Sequence, residues 1–379
     1  MIWTFFHIFP VKNQALIMGI IFTRTFTLYL VTIICFVGQG HAQISFLLSA
    51  DDQYTWRVTH VYDEKGRRVE TTEFTRGGGR LAIHVFEYDE RGFQVRETAH
   101  YPGGQIMEWK EMIYDASGNI LKESTFEPSG NKLAKQLYTY DEAMNRTSWQ
   151  FYEPGHVLQW ERHYVFNQQG KRTEEQWFDA MGRLERRYEF IYNEDGNLVI
   201  QNLIRPDNRL EWRYVYDYDQ SGNRTAVKWY DETGRLSWIR TYQYDENNLR
   251  TGERRYETIR RLFSREIRYR LTYQFSFTND QKGNQLREEV HDHYGRHLWT
   301  REYGYDQQGN LNEYTWYGPD GEVEIRYVIL FDHMGNKTDW VWLDGQGRVD
   351  MRRTYSYDHA GRLNEERWYE TQKERVSSR

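Results

Sequence analysis

The sequence of 379 residues contains little cysteine and little proline. Cys35 is the one cysteine, and it lies inside an apolar segment near the N-terminus, so a fold stapled by disulfides is excluded. Only six prolines occur, and no low-complexity linker divides the chain. We therefore expect a single domain after the N-terminal segment.

Basic residues are fewer than acidic ones. The chain has 50 lysines and arginines against 56 aspartates and glutamates, a net charge of -6. The first 42 residues hold two of the basic residues and no acidic one, so the remainder has 48 basic and 56 acidic residues, a net charge of -8. This balance argues against a general nucleic-acid-binding protein.

Familiar catalytic motifs are missing as well. The sequence has no nucleophile elbow, no phosphate-binding glycine loop and no zinc-protease motif. Aspartate and glutamate are abundant enough for a glycosidase-like carboxylate pair, but no pair stands out. We predict a protein that is not an enzyme and that needs no cofactor.

What the chain does contain is a short motif at fixed spacing. The pattern Tyr-Asp-x-x-Gly-Asn, found at 218–223, returns every 26 residues, with one longer step of 35 after position 248. This period predicts about twelve units. The turn positions are Gly66, Gly92, Gly118, Met144, Gly170, Gly196, Gly222, Asn248, Gly283, Gly309, Gly335 and Gly361.

The motif is typical of a tight turn between two strands. Its aspartate can accept a hydrogen bond from the backbone two residues later, and its glycine can adopt the left-handed conformation that closes a type I turn with a bulge. Asn248 is the next best residue for that conformation, whereas Met144 is poorly suited, and we expect Asn145 to adopt it instead. A second turn 12 residues later completes a unit of two strands.

Between the turns, side chains alternate with the period of a half-buried strand. After Gly234, one face would carry Trp238 and Tyr242, and the equivalent positions of other units carry Trp160, Trp212 and Trp299. The prediction is an all-β fold of tandem antiparallel hairpins that form a long twisted or spiral sheet, similar to a shell.

The first 42 residues have the composition of a signal peptide. They include an apolar run over 26–37, and the small residues Gly40 and Ala42 precede a cleavage site predicted before Gln43. Met18 is an alternative start, since Arg24 would then supply the basic region. A retained membrane anchor is the competing interpretation, but the run is shorter than the roughly 20 residues that a span needs.

The remaining boundaries follow from the repeat. We predict a lead-in over 43–58, a repeat domain over 59–370 with an insertion near 249–282, and a tail over 371–379. The signal peptide predicts export to the periplasm, the outer surface or the medium, without a stable membrane span after cleavage.

The motifs at 88–92, 114–119, 218–223 and 305–310 resemble the repeats of the Rhs or YD-repeat family. In that family the strands form a large spiralling sheet, in the largest members a hollow shell around a toxin, and carbohydrate binding has been attributed to the repeats. The resemblance implies an extended sheet exposed at a bacterial envelope. The Asp-Pro-x-Gly motif that closes the large shells is missing, so encapsulation of a toxin is not implied.

We therefore predict a non-catalytic structural or binding module, with a polysaccharide or an envelope protein as partner. The tryptophans Trp160, Trp212, Trp238 and Trp299 are candidates to stack on sugar rings, although packing of the sheet explains any single ring more simply. An accessory or remnant of an Rhs-type toxin system is an alternative. An envelope hydrolase is another, and it requires a pocket where the 249–282 insertion leaves the sheet.

A basic patch lies within that insertion. Residues 250–270 hold eight arginines against three glutamates. The patch could dock an acidic glycan or partner, or its arginines could pair with neighbouring glutamates. The candidates are Arg254, Arg255, Arg260, Arg261 and Arg265.

Two further interpretations are disfavoured by the period. His291, His293 and His297 could suggest a metal site, but His291 occupies the position that Tyr230 and Tyr317 hold in other units. A transmembrane barrel would need an apolar band, and both faces of the strand containing 183–187 carry charge. We predict no metal site.

Overall fold

The turn at 218–223 is held by hydrogen bonds to its aspartate, Asp219. Asp219 Oδ1 accepts hydrogen bonds from the backbone N–H groups of Ser221 and Asn223, both at 2.9 Å. The Asn223 side chain donates to Oδ2 at 3.0 Å, and the Gly222 N–H donates to the Asp219 carbonyl at 3.1 Å. Gly222 has a φ of 82°, so the predicted turn is confirmed.

The same bonds impose the turn where glycine is missing. Met144 itself adopts the left-handed conformation, with a φ of 64°, and the expectation that Asn145 would adopt it is wrong. Asp141 accepts a hydrogen bond from the Asn145 N–H at 2.8 Å, and the Met144 N–H donates to the Asp141 carbonyl at 3.0 Å. These two bonds fix the register, so the residue at that position must bear the strain. Asn248 adopts the conformation as predicted, with a φ of 61°.

The computed structural model describes residues 28–37, 40–49, 54–260 and 267–370. Within these ranges the chain forms 26 strands and one short 3-10 helix, Pro154–His156. The first strands are β1 Leu28–Val37, β2 Gly40–Ser49, β3 Trp56–Tyr62, β4 Arg68–Thr75, β5 Arg80–Tyr88, β6 Gln94–His100, β7 Ile106–Tyr114, β8 Ile120–Phe126, β9 Lys132–Tyr140, β10 Arg146–Glu153, β11 Val157–Phe166, β12 Arg172–Asp179 and β13 Leu184–Tyr192. The others are β14 Leu198–Ile204, β15 Leu210–Tyr218, β16 Arg224–Tyr230, β17 Leu236–Tyr244, β18 Arg250–Arg260, β19 Ile267–Asn279, β20 Gln285–Asp292, β21 His297–Tyr305, β22 Leu311–Tyr317, β23 Val323–Phe331, β24 Lys337–Asp344, β25 Val349–Tyr357 and β26 Leu363–Glu370.

Strands β1 and β2 form a two-stranded sheet of their own. Residues 1–27, with the alternative start at Met18, and the tail 371–379 lie outside the described residues. The predicted apolar run lies largely in β1 and the predicted cleavage site lies in β2, and pairing of these strands does not test cleavage. The signal peptide, its cleavage site and the tail stay predictions.

Strands β3 to β26 form a closed antiparallel barrel of 24 strands, each paired with the next along the chain. Twelve hairpins make up this wall, which agrees with the twelve units of the sequence period. The predicted all-β fold of tandem antiparallel hairpins is confirmed. The prediction that they form a long twisted or spiral sheet is wrong, because β26 pairs with β3 and closes the circle.

The closing contact, called the seam below, has the register of an ordinary junction between repeats. Trp368 of β26 lies opposite Trp56 of β3, as Trp229 of β16 lies opposite Trp238 of β17. The two seam rings meet edge to face at 5.3 Å. The first and last strands thus pair as if a turn joined them.

A tyrosine bond repeated around the barrel is also present at the seam. The Tyr244 hydroxyl donates to the Arg224 carbonyl at 2.9 Å, across the junction between β16 and β17. The Tyr62 hydroxyl donates to the Leu363 carbonyl at 2.8 Å across the seam, and Arg362 lies 4.8 Å from the Tyr62 ring centroid. The seam therefore reuses the contacts that hold the other repeats.

Each pair of barrel strands that a turn joins also contains a shift of register, as between Asp217 and Tyr218 and between Trp229 and Tyr230. Such bulges bend a sheet and increase its twist. At about 4.8 Å per strand, 24 strands give a circumference of about 115 Å and a diameter of about 37 Å before tilt. Residues 56–257 and 273–370 belong to the wall or to the turns between its strands.

Burial arises within the wall itself. The most buried apolar cluster joins Val328 of β23 to Val341 and Leu343 of β24. Most other strand residues are half-buried by neighbours on adjacent strands rather than by a second layer. Cross-strand side-chain pairs therefore supply much of the stability.

Candidate functional site

The four predicted tryptophans lie on one side of the sheet. Trp160, Trp212, Trp238 and Trp299 occupy equivalent positions of β11, β15, β17 and β21, and all four are half-buried. We call this side the aromatic face, since the alternation of the strands also places the tyrosines of the turn motif on it.

Between β9 and β17 the rings on the aromatic face form two contacting rows, one from Tyr138 to Trp160 and one from Trp177 to Trp238, and we call the two rows together the aromatic belt. Every strand of this stretch except β14 contributes a ring, and aromatic pairs at such separations stabilise the sheet beyond their buried area. The ring centroids are 6.1 Å apart for Tyr138 and Trp149, 4.8 Å for Trp149 and Trp160, 5.7 Å for Trp177 and Tyr188, 6.0 Å for Tyr188 and Trp212, 5.1 Å for Trp212 and Tyr214, 5.8 Å for Tyr214 and Trp238, and 6.4 Å for Trp238 and Trp229.

Arginine completes the belt where two rings do not meet. The Arg162 guanidinium lies 4.9 Å from the Trp160 ring centroid and 4.0 Å from that of Trp177. Phe151 stacks on Trp160 at 5.5 Å with an interplanar angle of 16°. The flat faces of Trp160 are therefore largely used within the sheet. Arg162 is not among the residues predicted for the site, although its spacing of two residues from Trp160 on an alternating strand places both on one face.

Trp299 lies in a separate group of rings. Its centroid is 6.3 Å from that of Phe275, and the Arg301 guanidinium lies 4.3 Å from it. The structure thus brings Trp212 and Trp238 together through Tyr214, and it leaves Trp299 outside the belt.

Beside Trp299 lies a carboxyl with an altered affinity for protons. Burial raises the pKa of Glu288, and Arg301 and the Tyr303 hydroxyl oppose this effect. Burial and the charge of Glu288 in turn raise the pKa of Tyr303. Glu288 Oε2 lies 3.5 Å from Arg301 Nη1 and 3.4 Å from the Tyr303 hydroxyl oxygen. Nothing in the sequence period distinguished Glu288 from the turn and surface carboxylates.

The predicted basic patch is partly neutralised. Glu253 has a side chain only 5% exposed, and it pairs with both Arg250 and Arg255. Arg255 also lies 4.3 Å from the Phe275 ring centroid, and Arg254 is half-buried on the same strand. Pairing with glutamates, one of the two alternatives from the sequence, thus accounts for Arg255.

The other predicted arginines belong to the hairpin of β18 and β19. Arg260 ends β18, and Arg261 and Arg265 lie outside the described residues. Arg270 pairs with Glu257 at 2.8 Å across the hairpin. Of the predicted arginines, the structure therefore describes the surroundings of Arg254 and Arg255, and a cluster that includes the other three stays a prediction.

A cavity of about 410 Å³ lies at the foot of this hairpin, and we call it the notch. Its position matches the pocket that a hydrolase would need. It is lined by Glu257, Arg270, Leu271, Thr272, Tyr273, Asp292, His293 and Leu298.

Neither carboxylate of the notch has the environment of a general acid. Burial alone would raise the pKa of Asp292, but hydrogen bonds from the Arg296 side chain and from two backbone N–H groups outweigh it and lower the pKa. Asp292 is the turn residue of its repeat, and its two oxygens are occupied by these donors. Glu257 is paired with Arg270.

The three histidines of the sequence analysis have other contacts. The His291 and His297 rings are 5.5 Å apart, and His297 Nε2 lies 2.8 Å from the Thr300 hydroxyl oxygen. His293 packs on Tyr294, with centroids 3.6 Å apart. Among the described residues no three metal-binding side chains converge.

The described chain is thus a closed all-β barrel of tandem hairpins. Within it, no helix is long and apolar enough to cross a membrane. No family model matches the sequence, and no curated protein matches it.

Several solved structures are similar in part. A crystal structure of TcdB2-TccC3-Cdc42 matches 82% of this chain at 15% identity with a TM-score of 0.32, and one of TcdB2-TccC3 matches 85% at 14% identity with the same score. This chain spans about a fifth of the length of those chains, 20% and 21%. A porin-like protein from Bacteroides uniformis matches 84% of this chain, and 96% of its own, at 10% identity with a TM-score of 0.20. All three TM-scores lie below 0.5, so the likeness to these structures is partial.

Proposed function

We propose that this chain is a non-catalytic repeat module that binds a polysaccharide along its aromatic face at a bacterial envelope. The observation that carries the proposal is the aromatic belt, in which rings between β9 and β17 form two contacting rows that Arg162 connects. Trp160, Trp212 and Trp238 all remain half-exposed within it. Aromatic surfaces with polar neighbours pack well on the apolar faces of sugar rings.

The belt favours a long ligand over a single sugar. The flat faces of Trp160 are shared with Phe151 and Arg162, so this ring offers an edge rather than an open platform. Arg162 and Arg240 lie beside these rings and can donate hydrogen bonds to hydroxyls. Many weak contacts in a row bind a polymer strongly only when several act together.

The absence of catalysis is part of the proposal. Asp292 is held ionised by its turn hydrogen bonds, and Glu257 is paired with Arg270. A glycosidase requires one carboxyl held protonated beside a second ionised one, and the notch offers no such pair. Glu288 has a raised pKa, but it does not line the notch.

The test is binding of the full chain to soluble polysaccharides and to peptidoglycan sacculi, measured by affinity electrophoresis and by pull-down. Trp212→Ala and Trp238→Ala are the test variants. Trp109→Ala is the matched control, because Trp109 stacks on Phe126 at 5.1 Å on the opposite face. Circular dichroism confirms that each variant is folded.

We expect Trp212→Ala and Trp238→Ala to weaken binding about tenfold, while Trp109→Ala binds as the parent does. An equal loss in all three variants would refute a role for the aromatic face. No binding to any polysaccharide by the folded parent would refute the proposed function itself.

A further inference from the structure

Arginine is concentrated on the aromatic face of four adjacent strands, β10 to β13. Each of these strands carries one arginine on that face, as the strand register and the ring contacts below show, whereas the opposite face carries Arg187. We call the four the arginine row. It consists of Arg146, Arg162, Arg172 and Arg186.

The guanidinium groups of the arginine row lie over rings of the aromatic face. Two of them share Trp177, and the other two share Tyr164. The distances from guanidinium carbon to ring centroid are 4.0 Å for Arg162 and 5.2 Å for Arg186 over Trp177, and 5.4 Å for Arg146 and 5.8 Å for Arg172 over Tyr164. A guanidinium that lies over a ring keeps the N–H groups at its edge, which can bind a carboxylate in the fork geometry.

The carboxylates of this part of the face are already engaged. Glu175 is 8% exposed, with Oε2 at 2.8 Å from Arg172 Nη1 and Oε1 accepting a hydrogen bond from Trp177 Nε1 at 2.6 Å. Asp179 ends β12 and pairs with Arg183 in its own turn at 2.6 Å. Glu175 therefore balances the charge of Arg172, and the rest of the row is not balanced by either carboxylate.

The other three arginines of the row have rings as neighbours. Within 54–260 and 267–370, no carboxylate forms an ion pair with Arg146, Arg162 or Arg186. Arg146 and Arg186 are exposed, and Arg162 is half-buried. Like charges on neighbouring strands repel one another, so an anion bound along them is favoured. This part of the face is positive in a chain of net charge -6.

We propose that the polysaccharide bound by the aromatic face is a polyuronate, and that the arginine row binds its carboxylates while the belt packs on its sugar rings. This inference rests on the proposed function and adds the charge of the ligand to it. Arginine and carboxylate form bidentate hydrogen bonds of high geometric specificity. Arginines on adjacent strands, which are about 4.8 Å apart, offer a row of such contacts that a polymer engages together.

The test compares two polymers with the same sugar backbone, and it measures their binding to the full chain by isothermal titration calorimetry. Polygalacturonate carries a carboxylate on each sugar, whereas its methyl ester is neutral. We expect polygalacturonate to bind about tenfold more tightly, because the ester keeps the sugar rings and loses the charges. Raising sodium chloride from about 0.05 to about 0.5 M should reduce this difference.

The protein variants are Arg146→Gln and Arg186→Gln, with Arg187→Gln as the matched control. Arg187 follows Arg186 on β13, but it lies on the opposite face and pairs with Glu189 at 3.2 Å. We expect each of the first two variants to weaken binding of polygalacturonate about fivefold and to bind the ester as the parent does. Arg187→Gln should bind both polymers as the parent does, and circular dichroism confirms that each variant is folded.

Equal binding of the two polymers, with weaker binding in Trp212→Ala, would overturn this inference and leave the proposed function in place. Binding of neither polymer would also overturn it, whereas the proposed function fails only if no polysaccharide binds. Equal losses in all three arginine variants would overturn the location. Oligothymidylate that binds more tightly than polygalacturonate, and loses affinity in Arg186→Gln, would overturn the choice of a polysaccharide in favour of a single-stranded nucleic acid.

Discussion

A disulfide across the seam should form spontaneously if the barrel is closed. The proposed variant carries Thr59→Cys and Glu365→Cys, with Cys35→Ser to remove the native thiol. Thr59 of β3 and Glu365 of β26 are directly opposite in the seam register. Ala226 and Thr241 hold the equivalent positions at the junction of β16 and β17, so Ala226→Cys with Thr241→Cys is the matched control.

The two disulfides should stabilise the protein by different amounts, although the two pairs of residues have the same register in the sheet. Opposed side chains in antiparallel strands have Cβ atoms about 4.5 to 5.5 Å apart, and a disulfide needs about 3.5 to 4.5 Å, so a small adjustment suffices. The seam disulfide closes a loop of roughly 300 residues, which the chain-entropy estimate converts to about 5 to 6 kcal/mol. The control closes a loop of roughly 15 residues, worth about 3 kcal/mol.

The assay is air oxidation of the folded protein, followed by peptide mapping without reductant and by urea denaturation of oxidised and reduced samples. We expect both pairs to oxidise at similar rates and the seam pair to raise the free energy of unfolding more. If the control oxidises while the seam pair stays reduced, or forms only intermolecular dimers, the barrel is open and the reasoning fails.

Three further predictions concern the turns and the connectivity. Hydrogen bonds from the Asn223 side chain and from backbone N–H groups lower the pKa of Asp219 against the opposing effect of burial. The ionised carboxylate therefore stabilises the folded state fully above its unfolded pKa near 3.8, and this stabilisation is lost as the pH falls through the lower folded value. Thermal midpoints of the parent should fall between pH 4 and 2, and those of Asp219→Asn should fall less. Met144→Gly should stabilise the protein by up to about 1 kcal/mol in urea denaturation, because glycine adopts the left-handed conformation without strain, whereas Gly222→Met should destabilise it. A circular permutant that opens the turn at Gly234 and joins Glu370 to Tyr54 through four residues should fold to the same circular dichroism spectrum, whereas an unfolded product would show that the seam is not equivalent to the other junctions.

The turns were predictable because their chemistry is local. Asp219 and Asn223 lie four residues apart, and their hydrogen bonds require nothing from the rest of the chain. Met144 shows the limit of that reasoning. Backbone preference alone predicts the left-handed conformation at Asn145. The hydrogen bonds to Asp141 instead require Met144 to adopt it.

The candidate site was predictable only in part, because ring contacts depend on neighbouring repeats. The period placed Trp160, Trp212 and Trp238 on one face, and the structure confirms this. It could not show that Arg162 lies between Trp160 and Trp177, since that contact depends on which residues adjacent repeats happen to carry. The notch arises at the insertion after β17, where the 26-residue period makes no prediction.

Closure of the barrel was not predictable from any one repeat. Twelve hairpins complete the circle, so each contributes about 30° of rotation, which results from its bulges, twist and side-chain packing together. An error of a few degrees in each unit would accumulate to a large fraction of one repeat and leave a spiral with two free edges. The sequence of a unit does not specify an angle that finely. The bond from Tyr62 to Leu363 is informative for this reason, since a contact that recurs between adjacent repeats can join residues 301 apart only when the accumulated rotation amounts to one full turn.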